Sequence, residues 1–219
     1  AVVKKLIAET DVLMENFRPG VLDRMGLGYE DVKKINPSII YASGSGWGSS
    51  GPYATKPGQD LLMQAFCALA HTSGKDSPTP AGASIVDHHG GMILAASIMA
   101  AMIGKLRDGK GRRVEVDLMS AALDLQVEPL VAFMNGGANR NTRPEGHVAG
   151  WSYPAPYGIY PAKDGHVALS LGPLPAMAKA LSAPELAEYT EADTWHKAEE
   201  VSGVFAASTI TMTVDEVID

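Results

Sequence analysis

The sequence contains a single cysteine, Cys67, so no internal disulfide can form, and a reducing, cytoplasmic setting is expected. Basic residues are in the minority: 18 Lys and Arg face 25 Asp and Glu, for a net charge of -7. That balance argues against a nucleic-acid partner or an anionic membrane surface, yet it leaves room for a local basic pocket. The longest uncharged apolar stretch, Gly90 to Gly104, falls short of the roughly 18 residues expected of a membrane span. No Cys/His cluster has zinc spacing, so no metal is expected. His88 and His89 are adjacent and would point in different directions from a helix, a poor metal pair. Neither a Walker-type loop nor a G-x-S-x-G elbow is present. Ala1 to Thr10 reads as the tail of an amphipathic helix without a cleavage-site pattern, and both ends of the chain read as cut.

What is present fits a globular α/β protein. Hydrophobic residues make up 46% and charged residues 20%, enough apolar material for one domain or two small ones. Helical spacing over Val2–Ala8 leads into a short strand at Asp11–Glu15. Pro19 and Gly20 then force a loop. Helices are expected over Val21–Met25 and Tyr29–Asn36, the latter closed by Pro37, and Ser38–Ser43 reads as a buried strand. Gly44-Ser45-Gly46-Trp47-Gly48 resembles a phosphate-cradling loop only loosely; a tight turn after a strand explains it equally well. One helix is expected over Asp60–His71. Another runs from Asp87 to about Arg107, with Ala, Gly, Met and Ile on every side and therefore burial on all faces. Val114–Asp117 alternates as a strand, and Met119–Met134 is a further helix ended by Asn135-Gly136-Gly137. An irregular stretch covers Ala138–Pro156. A hairpin follows, Tyr157–Tyr160 and His166–Leu171 around Asp164-Gly165, and then helices. The alternation of strand and helix places the chain in the α/β class. The expected division is residues 1–134, with linker helices, and residues 135–219.

Several blocks occur in a fixed order. They are Asp11-Val12-Leu13-Met14-Glu15-Asn16-Phe17-Arg18-Pro19-Gly20, Met25-Gly26-Leu27-Gly28-Tyr29 and Asn36-Pro37-Ser38-Ile39-Ile40-Tyr41. Next come Gly51-Pro52-Tyr53, Pro57-Gly58-Gln59-Asp60-Leu61-Leu62-Met63-Gln64-Ala65, Gly109-Lys110-Gly111-Arg112-Arg113-Val114, Ala155-Pro156-Tyr157 and Asp164-Gly165. Together they resemble the class III coenzyme A transferases, a family that includes formyl-CoA transferase, carnitine CoA-transferase and α-methylacyl-CoA racemase. The resemblance covers most of the chain up to about residue 172. It implies part of a Rossmann-like CoA-binding domain followed by a smaller, incomplete α+β domain, from proteins that form interlocked homodimers. The implied activity is transfer of coenzyme A between an acyl-CoA and a small carboxylic acid, through an aspartyl mixed anhydride and an aspartyl-CoA thioester. No cofactor beyond coenzyme A itself is implied.

The resemblance also assigns residues. The nucleophilic aspartate falls on Asp76, within Gly74-Lys75-Asp76-Ser77-Pro78, and the glycine-to-aspartate gap is one residue shorter than the family pattern. Asp60 is the competitor, although helix capping would explain it without catalysis. Asn16, Phe17 and Arg18 match the adenine-binding segment, and Arg24 a phosphate contact. Ser45 and Gly46 fall where backbone passes the pantetheine. Gly146, His147, Gly150 and Trp151 occupy the place of a mobile substrate loop. Asp87 stands where the racemase branch keeps a catalytic aspartate and transferases often keep one too; as a residue by itself it reads as a helix N-cap. Racemases pair that aspartate with a histidine at the position of Gln59, and an amide exchanges no proton near neutral pH. A transferase is therefore expected over two alternatives, a racemase or other acyl-CoA isomerase and a truncated, non-catalytic family member.

Overall fold

The computed structural model describes residues 1–136 and 141–219. Gly137 and the first residues of the irregular stretch from Ala138 lie outside them. The chain divides into two compact units, residues 1–69 with 81–127, and residues 70–80 with 128–219. The division thus falls after residue 127 rather than 134, and the segment 70–80 joins the second unit.

In the first unit, helix α1 (Val2–Glu9) precedes β1 (Val12–Glu15), α2 (Val21–Arg24), α3 (Tyr29–Ile35) and β2 (Ile40–Ser45). Then come α4 (Asp60–Phe66), α6 (Ile85–Asp108), β3 (Arg112–Asp117) and α7 (Leu118–Leu125). The three strands form a parallel sheet in the order β1-β2-β3. Leu13 and Glu15 register with Tyr41 and Ser43, and these with Arg113 and Glu115. Side chains alternate across a strand, so one face carries Leu13 and Tyr41 beneath Ile7, Leu22 and Val32 of the small helices. The other carries Ala42 and Gly44, with Leu94 of α6 lying over Gly44. Helices on both faces are what a parallel sheet requires. Asn36 explains its own motif: its amide donates to the carbonyls of Ile7 and Thr10 at 3.0 and 2.9 Å, and its oxygen accepts from Ser38. It therefore closes α1 and starts the turn into β2.

Two expected helices are broken. The segment Asp60–His71 divides into α4 and α5 (Leu69–Ser73), with Ala68 at φ 67° between them. The left-handed residue lies where the chain leaves the first unit for the second, a conformation costing about 1 kcal/mol in a non-glycine residue. The segment Met119–Met134 divides at Gln126 into α7 and α8 (Val127–Met134). Pro129 is the cause, because its ring would meet the carbonyl of Leu125 in a continuous helix.

Helix α6 departs most from expectation. Only Val86, Gly90 and Ala101 are buried, while Met92, Met99, Ile103 and Leu106 are 71, 61, 54 and 81% exposed. These four recur at spacings of seven, four and three and so form one apolar stripe. Among the described residues α6 is also the one helix long and apolar enough to cross a membrane by length and composition, contrary to the count over Gly90–Gly104. A single such helix is weak evidence, and this one packs on the sheet through Leu94.

The second unit is built on the antiparallel hairpin β4 (Gly158–Ala162) and β5 (Gly165–Leu169). Helices α9 (Leu174–Ala180), α10 (Asp193–His196), α11 (Ala198–Thr209) and α12 (Val214–Ile218) follow, with a 3-10 helix at Pro184–Glu188. Its core joins Tyr160 and Val167 of the hairpin to Leu174, Leu186, Val201 and Phe205. A capping box between Thr213 and Glu216 starts α12, and Asp164 of the hairpin turn accepts the Val214 amide at 2.8 Å.

Candidate active site

Ligands of open parallel sheets bind beyond the carboxyl ends of the strands, and two cavities of the first unit lie there. The first, of about 360 Å³, is lined by Glu15, Phe17, Arg18, Gly20, Tyr29, Ser43, Ser45 and Arg113, among others. The second, of about 400 Å³, is lined by Asn16, Gly44, Ser45, Gly46, Gly58, Gln59, Asp87, Gly90, Gly91, Leu94 and Asp117, among others. They share Gly44 and Ser45, the end of β2. Five of the six residues expected to hold coenzyme A therefore line one cleft or both. Arg24 lines neither, but its guanidinium folds back toward Gly20 at the edge of the first cavity.

The first cavity is less basic than a phosphate site would lead one to expect. Glu15, Asp23, Glu30 and Glu115 face Arg18 and Arg113, and Arg113 is paired with Glu115. Arg18 forms no ion pair among the described residues and is the available anion contact. Tyr41 lines this cavity too. Its hydroxyl donates to the Leu27 carbonyl at 3.2 Å, and burial, aided by the charge of Glu15, pushes its pKa up to about 12.

The walls of the second cavity are set by a close crossing of two loops. A Cβ on Gly46 would stand 2.5 Å from the Cα of Gly58, and a Cβ on Gly58 would strike Gly46 in return. Two glycines are the residues that allow this approach. The crossing is held by the Trp47 indole N–H, which donates to the Pro57 carbonyl at 2.9 Å, and by the Met119 amide, which donates to the Gly46 carbonyl at 3.1 Å. Trp47 is fixed in turn against Tyr53 and Phe66, each with ring centroids 4.9 Å away. The hydroxyl of Ser45 accepts the Gly48 amide at 3.0 Å, so the glycine-serine loop is a tight turn whose backbone is partly spent on itself.

Asp87 sits in the first turn of α6 but is not its N-cap, which is Ser84. No hydrogen bond or ion pair engages the Asp87 carboxylate among the described residues. Burial pushes its pKa up, the negative charge of Asp60 adds to this, and His88 opposes it. Asp60 also differs from expectation. It opens α4, yet its carboxylate caps α6: Oδ2 accepts the amides of Val86 and Asp87 at 2.8 and 3.0 Å. Its Oδ1 takes the amide of the buried Gln64. A carboxylate so engaged is a poor nucleophile. Asp117, the other carboxylate of the cavity, accepts the amide and hydroxyl of Ser120 at 2.7 and 2.9 Å and caps α7.

Asp76 lies in the second unit, on an exposed loop. That loop is anchored by the Thr79 amide, which donates to the Ala70 carbonyl at 2.7 Å, and by Arg143, which donates to the Gly74 carbonyl at 3.0 Å. The proposed substrate-loop residues are likewise in the second unit and are tied down. The His147 amide donates to Ser202 Oγ at 3.3 Å, its ring lies 5.3 Å from Tyr160, and Val148 bridges Gly158. Gly150 and Trp151 line a cavity of about 240 Å³ together with Glu145, Tyr153 and Trp195. Arg113, Gly58 and Gly91 are cleft residues that sequence reading missed. The alternation of Arg113 and Glu115 on β3 was the available signal for the first of them.

A parallel sheet covered by helices, with a cleft at its carboxyl edge, defines an α/β domain of the open-sheet class. The chain belongs to CoA-transferase family III, whose family model matches residues 1–219. It is 39% identical over 163 residues to an acyl-CoA transferase of Fusarium pseudograminearum, covering 73% of this chain and 34% of that protein. It is 33% identical over 193 residues to the acetyl-CoA:oxalate CoA-transferase of Acetobacter aceti, covering 85% of this chain and 49% of that protein. The chain thus spans half or less of these relatives' lengths. A crystal structure of a CAIB/BAIF family protein from Brucella suis superposes with a TM-score of 0.81 at 27% identity, over 99% of this chain and 59% of that one. The α/β class expected from the sequence is the observed one.

Proposed function

We propose that the protein carrying this chain transfers coenzyme A from an acyl-CoA to a free carboxylic acid, with Asp87 as the acyl-accepting carboxylate. One observation carries this assignment: the unpaired carboxylate of Asp87 lines the same cavity as Asn16, Ser45 and Gly46, the residues expected to hold coenzyme A. Asp76, the assignment implied by resemblance, belongs to the other unit. The Asp87 carboxylate attacks the thioester carbonyl, forming a mixed anhydride and expelling the CoA thiolate. The thiolate attacks the aspartyl carbonyl, releasing the donor acid and leaving an aspartyl-CoA thioester. The acceptor carboxylate attacks that carbonyl, expelling the thiolate again, which then takes the acceptor's acyl group and frees Asp87. Gln59 supplies amide donors to the cleft and no exchangeable proton. The scheme asks for no cofactor beyond coenzyme A. We propose a homodimer as the working assembly, supported by the uncovered stripe of α6.

Hydroxylamine trapping in the presence of acyl-CoA tests the assignment. A hydroxamate in the peptide holding Asp87 is expected. Modification at Asp76 restores the resemblance-based assignment, and no modification of an active enzyme ends the covalent scheme.

A further inference from the structure

We infer that Asp60 is the positioning residue of this cleft, a side chain that touches no substrate but fixes both walls by bridging α4 to the first turn of α6. The inference rests on the reading of Asp87 as the acyl acceptor.

Helix α6 begins without a side-chain cap of its own, since Ser84 makes no capping bond. Its first amides would otherwise be unsatisfied. Asp60 supplies the cap from another helix through its bonds to Val86 and Asp87. The second carboxylate oxygen meets Gln64 Nε2, and Gln64 Oε1 accepts the Ala81 amide at 2.9 Å. Gln64 is 2% exposed, so this relay is shielded from water and its geometry is fixed. Three consequences follow for the cleft. The backbone of Asp87 is pinned, which aims its carboxylate. Gln59, the residue preceding Asp60 in sequence, is fixed on the opposing wall by the same anchor. And the Asp60 carboxylate stands close enough to act on the charge of Asp87.

That effect is the part a purely structural cap would not explain. The charged and titratable groups around Asp87 are Asp60 from α4, His88 from its own helix, and Asp117 from the end of β3. Asp117 is occupied by hydrogen bonds from the Ser120 amide and hydroxyl. Asp60 thus keeps Asp87 more basic, and a more basic carboxylate is a stronger nucleophile toward a thioester.

The test uses the full-length enzyme and the variants Asp60→Asn and Asp60→Ala. Asparagine keeps an oxygen that can accept an α6 amide but removes the charge. Asp60→Ala is expected to lower kcat by roughly ten- to a hundred-fold, the range for supporting side chains of a reactive group. Asp60→Asn is expected to retain more activity and to move the acid limb of its pH profile to lower pH, because Asp87 loses a like charge. If the alanine variant does not fold, the asparagine profile decides alone. An Asp60→Asn profile and kcat that superimpose on wild type, with hydroxylamine still marking Asp87, overturn the inference and leave the Asp87 assignment standing. Hydroxylamine marking Asp76 in the wild type overturns both.

Discussion

Replacing Gly46 by alanine is the sharpest perturbation of the cleft. The added methyl would lie 2.5 Å from Gly58 Cα, 3.0 Å from its nitrogen and 3.3 Å from its carbonyl carbon. Carbon atoms pack at about 3.5 to 4.0 Å, so one loop must retreat by about 1 Å. The obstacle is backbone, which cannot swing aside as a side chain would. The retreat strains the Trp47–Pro57 and Met119–Gly46 bonds that hold the crossing. Overpacking of this kind costs about 1 to 3 kcal/mol, and it shifts Gln59 and Ser45 on opposite walls. Urea denaturation of Gly46→Ala should show a lower midpoint at unchanged slope, together with weaker CoA binding by calorimetry. Gly91→Ala is the control, because a Cβ there meets nothing within 4 Å. It should stabilise α6 by up to about 1 kcal/mol through helix propensity, while placing a methyl in the cavity that Gly91 lines. A Gly46→Ala protein as stable as wild type, with wild-type CoA affinity, would refute the crossing as the determinant of the cleft.

Phe205→Ala should cost about 3 to 5 kcal/mol, since the ring is fully buried beside Tyr160; a loss under 1 kcal/mol in denaturant titration would deny that this ring organises the second unit. Activity of the wild-type enzyme should fall on acidification with a limb above 3.8, the ordinary aspartate value from which Asp87 is raised, because only its ionised form attacks; a kcat/KM profile flat through that range would count against Asp87. Met99→Glu places a charge in the exposed α6 stripe and should shift sedimentation toward a smaller species, whereas unchanged sedimentation would exclude the stripe from assembly. In deuterated water, CoA transfer should proceed without deuterium entering the α carbon of a 2-methylacyl-CoA. Rapid exchange without transfer to added acids would instead establish the racemase alternative.

Local signals placed most elements because they are properties of neighbouring residues. Pro37, Gly109 and the turn at Asp164-Gly165 end or reverse the chain wherever they occur, and the strands at Val12–Glu15 and Arg112–Asp117 follow from short-range pattern. The same signals misjudged α6. An all-apolar composition says that a helix seeks cover, but not which faces receive it within this chain. The long helix expected over Asp60–His71 failed for a related reason: nothing local marks Ala68 as the residue that turns the chain out of the first unit.

By itself, then, the sequence determined the class of fold and the family, both carried by contiguous motifs, and it singled out the cleft-lining segment Asn16–Arg18. Only the tertiary structure decided which carboxylate of the cleft is left unpaired among the described residues. Asp60 and Asp87 are 27 residues apart in sequence, joined by a 3.0 Å hydrogen bond from the Asp87 amide to the Asp60 carboxylate, and Gly46 and Gly58 meet only because two loops cross. Whether a carboxylate is spent as a helix cap or left free to react depends on which amides the fold brings to it, and that is a long-range fact no local pattern encodes.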